Sequence, residues 1–167
     1  MIARISTRLA CSEEELWQRI LEPKSLQFVA SPLLSFAPAN EGDLDGEWQV
    51  GTPYPLQLYL LKFIPLGGHT IELLSIDERT HTLVSRERGR LARVWNHTIS
   101  FQQAAPGFVD YTDEIEIHAG WLTPVIWSFA QIFYRHRQRR WKVLLRKRDS
   151  PGRSIPDHES SEDPSRR

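Results

Sequence analysis

The chain has 167 residues, enough for one domain with a core of its own, since a chain of about 150 residues buries roughly 70% of its extended surface. Lys plus Arg and Asp plus Glu both count 21, so no global field recruits a polyanion, and no nucleic-acid partner is expected. Cys11 is the single cysteine, which excludes an intrachain disulfide and a thiolate metal cluster and fits a reducing, cytoplasmic setting, and no apolar run approaches the ~18 residues of a membrane span.

The first residues alternate. Ala3, Ile5, Thr7 and Leu9 fall on one face and Arg4, Ser6 and Arg8 on the other, the period of a half-buried strand. Ser12 followed by Glu15 has capping-box spacing, Glu13 to Glu15 complement a helix dipole, and Leu16, Trp17, Ile20 and Leu21 form an apolar stripe. These predict a helix that Pro23 ends, with a second short helix around Lys24 to Ala30. Six further strands are predicted: Leu33 to Pro38, Tyr54 to Ile64, His69 to Asp77, Thr82 to Arg88, Arg93 to Ala104 and Phe108 to Ala119. Their joints include Pro65-Leu66-Gly67-Gly68 and Ala105-Pro106-Gly107, and joints this short favour antiparallel neighbours. In the strand from Tyr54, Leu56, Leu58 and Leu60 compete with Tyr59, Leu61 and Phe63 for the inward face. Thr123-Pro124 reads as an N-cap and first helical position, and the helix it opens runs to about Lys147. Its apolar stripe takes in Val125, Phe129, Ile132, Phe133, His136 and Leu144. Residues 149–167 are Ser, Pro and charge with almost nothing to bury, the composition of a disordered polar tail. The expected class is therefore α+β, one domain over residues 1–148.

The order strand, two short helices, six strands and one long terminal helix resembles the START-like superfamily, whose relatives include birch pollen allergen, steroid and phospholipid transfer domains and polyketide cyclases. Local matches are Trp95-x-His97-x-x-x-Phe101, Tyr111-Thr112-Asp113-Glu114-Ile115, and a terminal helix ending in Arg140-Trp141 and Leu144-Leu145-Arg146. They are similar to the bacterial polyketide cyclase/dehydrase-like branch. One departure is Ile99, where relatives often carry a second histidine, and it weakens the case for a histidine-pair site. The resemblance implies a helix-grip fold, a seven-stranded curved antiparallel sheet wrapped on the C-terminal helix. It further implies a deep cavity for an apolar or amphipathic small molecule, with most members acting by binding and a minority by catalysis. No cofactor is expected.

Alternation places Trp95, His97, Ile99 and Phe101 on one strand face, and Val109, Tyr111, Asp113, Ile115 and Ile117 on one face of the next. Pairing about Ala105-Pro106-Gly107 sets Ile99 opposite Asp113 and makes His97 its diagonal neighbour. Asp113 and His97 then serve as an acid/base pair with Tyr111 as a proton donor, as a polar anchor for a ligand, or as structural groups that satisfy each other. The candidate ligand-binding residues are Trp95, His97, Ile99, Phe101, Tyr111, Asp113, Ile115, Phe129, Phe133 and His136, and Tyr59 is a further candidate for the wall. The acid-free run Arg135, Arg137, Arg139, Arg140, Lys142, Arg146, Lys147 and Arg148 reads as a solvated helix flank or as a weak membrane contact through Arg135, Arg139, Lys142 and Arg146. The loop Glu41, Asp43, Asp45, Gly46, Glu47 lacks the spacing of a calcium site, and no metal is expected. Three functions follow: carriage of a lipid, quinone or polyketide-like molecule, cyclase/dehydratase-like catalysis, or docking through the basic helix.

Overall fold

The computed structural model describes residues 1–39, 44 and 46–146. The tail expected at 149–167, Lys147 and Arg148 of the basic run, and Glu41, Asp43 and Asp45 of the acidic loop lie outside the described residues.

Strand β1 (Ile2–Ala10) turns Ala3, Ile5 and Leu9 inward. Helix α1 (Glu13–Leu21) starts where the Ser12 hydroxyl accepts the Glu15 N–H at 3.1 Å, one of the donors that a helix end leaves unpaired. Pro23 stops it and opens α2 (Pro23–Ala30), where a missing N–H costs nothing. The chain then builds β2 (Leu34–Pro38), β3 (Pro53–Leu60), β4 (Ile64–Asp77), β5 (Thr82–Gly89), β6 (Val94–Ala105) and β7 (Phe108–His118). A 3-10 turn over Gly120–Leu122 leads into α3 (Thr123–Arg146). The strands form one antiparallel sheet in the order β1-β7-β6-β5-β4-β3-β2, so α1 and α2 carry the chain from one edge to the other.

The structure moves one predicted turn. The β3–β4 hairpin closes at Leu61 and Lys62, both at positive φ (53° and 74°), whereas Pro65 to Gly68 lie inside β4. Two left-handed residues match the twist of a tight hairpin, and Gly67 serves a close approach instead. A side chain on Gly67 would meet Arg90 Cδ at 3.1 Å. This register, with a bulge between Leu58 and Tyr59, turns Leu56, Leu58 and Leu60 inward and leaves Phe63 exposed. Tyr59 falls on the opposite face and is not on the cavity wall.

The helix stripe also differs from the predicted one. Val125 and Ile132 are 66% and 64% exposed, and the buried positions of α3 are Thr123, Ala130, Phe133, Tyr134, Arg137, Gln138, Trp141 and Leu145. The true stripe keeps helical spacing but runs through Arg137 and Gln138, which a search for apolar side chains passes over. Thr123 is itself helical, and its hydroxyl donates to Gly120 O at 2.7 Å and accepts Ala119 N–H at 2.9 Å, closing the 3-10 turn.

Two apolar clusters make the core. One gathers Leu9, Leu16, Trp17, Phe101, Tyr111, Trp141 and Leu145 with residues of β3 to β5, and the other gathers Ala3, Ile5, Ile115, Ile117, Ala130, Phe133 and Tyr134. Along α3 the residues between the two are Arg137 and Gln138, along β7 Asp113, and along β6 His97. A polar layer therefore crosses the interior, held between apolar slabs.

Candidate functional site

Helix α3 lies directly on β1 and β7 and against α2, but not on β3 to β5. Where helix and sheet diverge, a cavity of about 280 Å³ opens between β2 to β6 and the first half of α3. Most of its wall is apolar, including Leu34, Phe36, Leu58, Ile71, Leu73, Leu83, Ile99, Ile126, Phe129 and Phe133. Its polar groups converge from four elements, His69 from β4, Ser85 and Glu87 from β5, Trp95 and His97 from β6, and Tyr134 and Arg137 from α3, with the exposed Arg90 just after β5.

Strand alternation explains the convergence. Ser85 and Glu87 are two apart on β5, as are Trp95 and His97 on β6, so each pair shares the inward face. Ser85 pairs with His97 across the sheet and His69 with Gly89. Glycine at 89 is required by that neighbour, because a side chain there would approach His69 Nδ1 to 2.6 Å and Gly68 O to 3.1 Å.

Every oxygen of the two carboxylates has a partner. Glu87 Oε2 lies 2.9 Å from His69 Nε2, and Glu87 Oε1 accepts the Ser85 hydroxyl at 2.8 Å. Asp113 Oδ1 takes His97 Nε2 and the Tyr111 hydroxyl, both at 2.8 Å, and Oδ2 accepts Gln138 Nε2 at 3.2 Å. His97 Nδ1 faces Glu87 Oε1 at 3.9 Å, so each of its ring nitrogens looks at a carboxylate. Arg137 Nη1 stands 3.8 Å from Asp113 Oδ1, close enough for ion pairing and too far for a hydrogen bond.

Burial pushes the Asp113 carboxyl up, but the Arg137 charge and the hydrogen bonds from His97 and Tyr111 outweigh it, and the group sits below its ordinary range. Glu87 behaves alike, with burial opposed by His69, by the His97 charge and by Ser85, and it too is lowered. Both carboxylates are therefore ionised at neutral pH. Burial raises the Tyr134 phenol, with the Glu87 charge adding to it, so this side chain remains a neutral O–H donor. The Cys11 thiol, buried by α1, is pushed up to about 11 and is no nucleophile.

The register places Ile99 opposite Asp113, with His97 on the diagonal and its ring bonded to the carboxylate. Of the residues singled out by sequence, Trp95, His97, Ile99, Phe129 and Phe133 border the cavity. Phe101, Tyr111, Asp113 and Ile115 do not: α3 covers β7, Phe101 packs against Trp17 of α1 and His81, and the Tyr111 hydroxyl is committed to Asp113. His136 is also absent from the wall. At 100° per residue it points a step away, toward α2, where Nε2 lies 2.9 Å from Ser31 O. Arg140, one turn on, donates to Phe28 O at 3.3 and 3.4 Å and stacks over the Phe28 ring at 4.0 Å. The basic run is thus divided: Arg137 is buried, Arg140 holds α2, and Arg135, Arg139, Lys142 and Arg146 are exposed.

Sequence reasoning missed Glu87, His69, Tyr134 and Arg137 as wall residues. For Glu87 the signal was present, since it alternates with Leu83 and Ser85 on an apolar strand face. For Arg137 it was hidden, because a cation among seven others reads as solvated.

No curated protein matches this chain. Solved structures match its fold throughout. A protein from Chromobacterium violaceum is 14% identical, with a TM-score of 0.67 over 86% of this chain and 96% of its own. A START superfamily protein from Mycobacterium smegmatis is 12% identical, with a TM-score of 0.63 over 87% and 97%. Norcoclaurine synthase from Thalictrum flavum, solved in complex with dopamine and hydroxybenzaldehyde, is 12% identical, with a TM-score of 0.65 over 90% and 89%. The fold is thus the START-like helix-grip fold. The model of one sequence family, described as a domain of unknown function (DUF8410), matches residues 7–145, and the chain belongs to that family.

Proposed function

We propose that the protein binds or carries an apolar or amphipathic small molecule, of lipid, quinone or polyketide-like character, in the cavity between sheet and α3. The observation that carries this reading is the wall itself: about 280 Å³ of mostly aliphatic and aromatic surface with a few polar groups gathered on β4 to β6 and α3. Small-molecule sites have that composition, and their volumes run from roughly 300 to 1,000 Å³. The size favours a compact ring system or one short chain over a two-chain phospholipid. A neighbour of the same fold was solved with two small aromatic molecules, which suits the same size class.

Cyclase-like catalysis through His97 and Asp113 is the weaker reading. Asp113 lies behind the wall, and the His97 nitrogens are directed at Asp113, at 2.8 Å, and toward Glu87, at 3.9 Å. Native mass spectrometry of protein from its source cells, followed by organic extraction, tests the binding reading. One stoichiometric apolar compound is the expected result, and bare chain in every preparation would count against it.

A further inference from the structure

The polar end of the cavity has an imbalance between donors and acceptors. Its carboxylate oxygens are occupied: Glu87 by His69 and Ser85, Asp113 by His97, Tyr111 and Gln138. Its donors are not. Arg137 is 4% exposed, yet its Nε has no hydrogen-bond partner among the described residues, and its contact with Asp113 is only the 3.8 Å ion pair. Tyr134 accepts Trp95 Nε1 at 3.1 Å, which leaves its own O–H to donate. Buried donors are ordinarily satisfied, and an unmet guanidinium N–H is costly. Tyr134 and Arg137 are one turn apart on α3, the guanidinium lies 5.5 Å from the phenol ring centre, and both border the cavity.

We infer that Arg137 and Tyr134 form the recognition point for a hydrogen-bond acceptor on the bound molecule, and that this acceptor is the oxygen of a neutral carbonyl group. Resting on the binding reading above, the inference narrows the ligand to an apolar skeleton bearing a ketone, quinone or ester oxygen. The choice of a neutral acceptor comes from charge. Glu87 and Asp113 already place two negative charges against Arg137, the one buried arginine of the wall, while Arg90 borders the cavity from an exposed position. A carboxylate ligand would add a third beside charged side chains that are themselves buried, where uncompensated charge is disfavoured. A carbonyl oxygen takes the N–H and O–H donors without that penalty.

Three probes with one skeleton separate the possibilities: acetylnaphthalene, ethylnaphthalene and naphthoate, each titrated calorimetrically into the full chain. The ketone is expected to bind about tenfold or more tighter than the alkyl compound, the range of a hydrogen bond to a charged donor, and tighter than the carboxylate. In Tyr134→Phe the ratio of ketone to alkyl binding should shrink, and in Arg137→Met it should fall to about one. Because Arg137→Met removes a buried charge partner of Asp113 and can unfold the chain, the comparison among probes on the unaltered protein is decisive by itself. Equal binding of ketone and alkyl compound overturns the recognition point and leaves the cavity reading standing. Tightest binding of naphthoate overturns the neutral class. Failure of all three to bind overturns both the inference and the proposed function.

Discussion

Asp113 and Glu87 show what a buried carboxylate needs in this interior. Each accepts short hydrogen bonds and faces positive charge, and each is held below its ordinary titration range despite burial. A group that ionises more readily folded than unfolded contributes stability above its unfolded value, about 3.9 for Asp and 4.3 for Glu, and loses it as pH falls through the folded value. Urea midpoints are therefore expected to stay flat from neutrality to about pH 5 and to drop below about pH 4. A midpoint that rises on acidification through that window would show that the two groups are neutral in the folded chain. Sequence made His97 and Asp113 legible as an inward diagonal pair, because alternation and one tight turn fix the β6–β7 register. Their remaining partners come from β5 and α3, two elements whose approach no local pattern encodes: alternation with Leu83 and Ser85 marks Glu87 as inward but not as a partner of His97, and Arg137 was hidden among the other cations.

At the scale of elements, α3 is the informative case. Its existence, start and length follow from Thr123-Pro124 and helical spacing, but the buried face lies about one residue away from the apolar stripe that the sequence suggests. The displaced face carries Arg137 and Gln138, whose amide also donates to Ile5 O at 2.7 Å and ties the helix to β1. Substitutions distinguish the two faces. Trp141→Ala removes a side chain 1% exposed and is expected to cost about 3–5 kcal/mol in chemical unfolding. Ile132→Ala, on the face that apolarity alone would bury, should change stability by no more than about 0.5 kcal/mol. A reversed order would mean that the helix is rotated. The β3–β4 joint carries the same lesson. Gly67-Gly68 looked like a turn, yet both lie inside β4, where Gly67 takes a positive φ of 98° and leaves room for Arg90.

For the whole molecule, the sheet and α3 meet closely along β1 and β7 and part over β3 to β5. The polar layer between the two apolar clusters reaches the resulting space only at its edge, through His97, Glu87 and Arg137. The architecture was legible from strand count, short joints and one long helix. The position of the cavity was not, since it depends on where the helix leaves the sheet. No helix among the described residues is long and apolar enough to cross a membrane, and the exposed cations Arg135, Arg139, Lys142 and Arg146 stand apart from the buried Arg137. The central claim is that this space receives an apolar molecule. Fluorescence titration with a neutral, polarity-sensitive naphthyl ketone dye tests it most directly, using the unaltered chain and Leu58→Trp, which would fill the cavity from β3. A blue-shifted signal saturating at one dye per chain, and lost in Leu58→Trp while the fold is retained, is the expected result. An unshifted signal, or one that Leu58→Trp leaves intact, would contradict it.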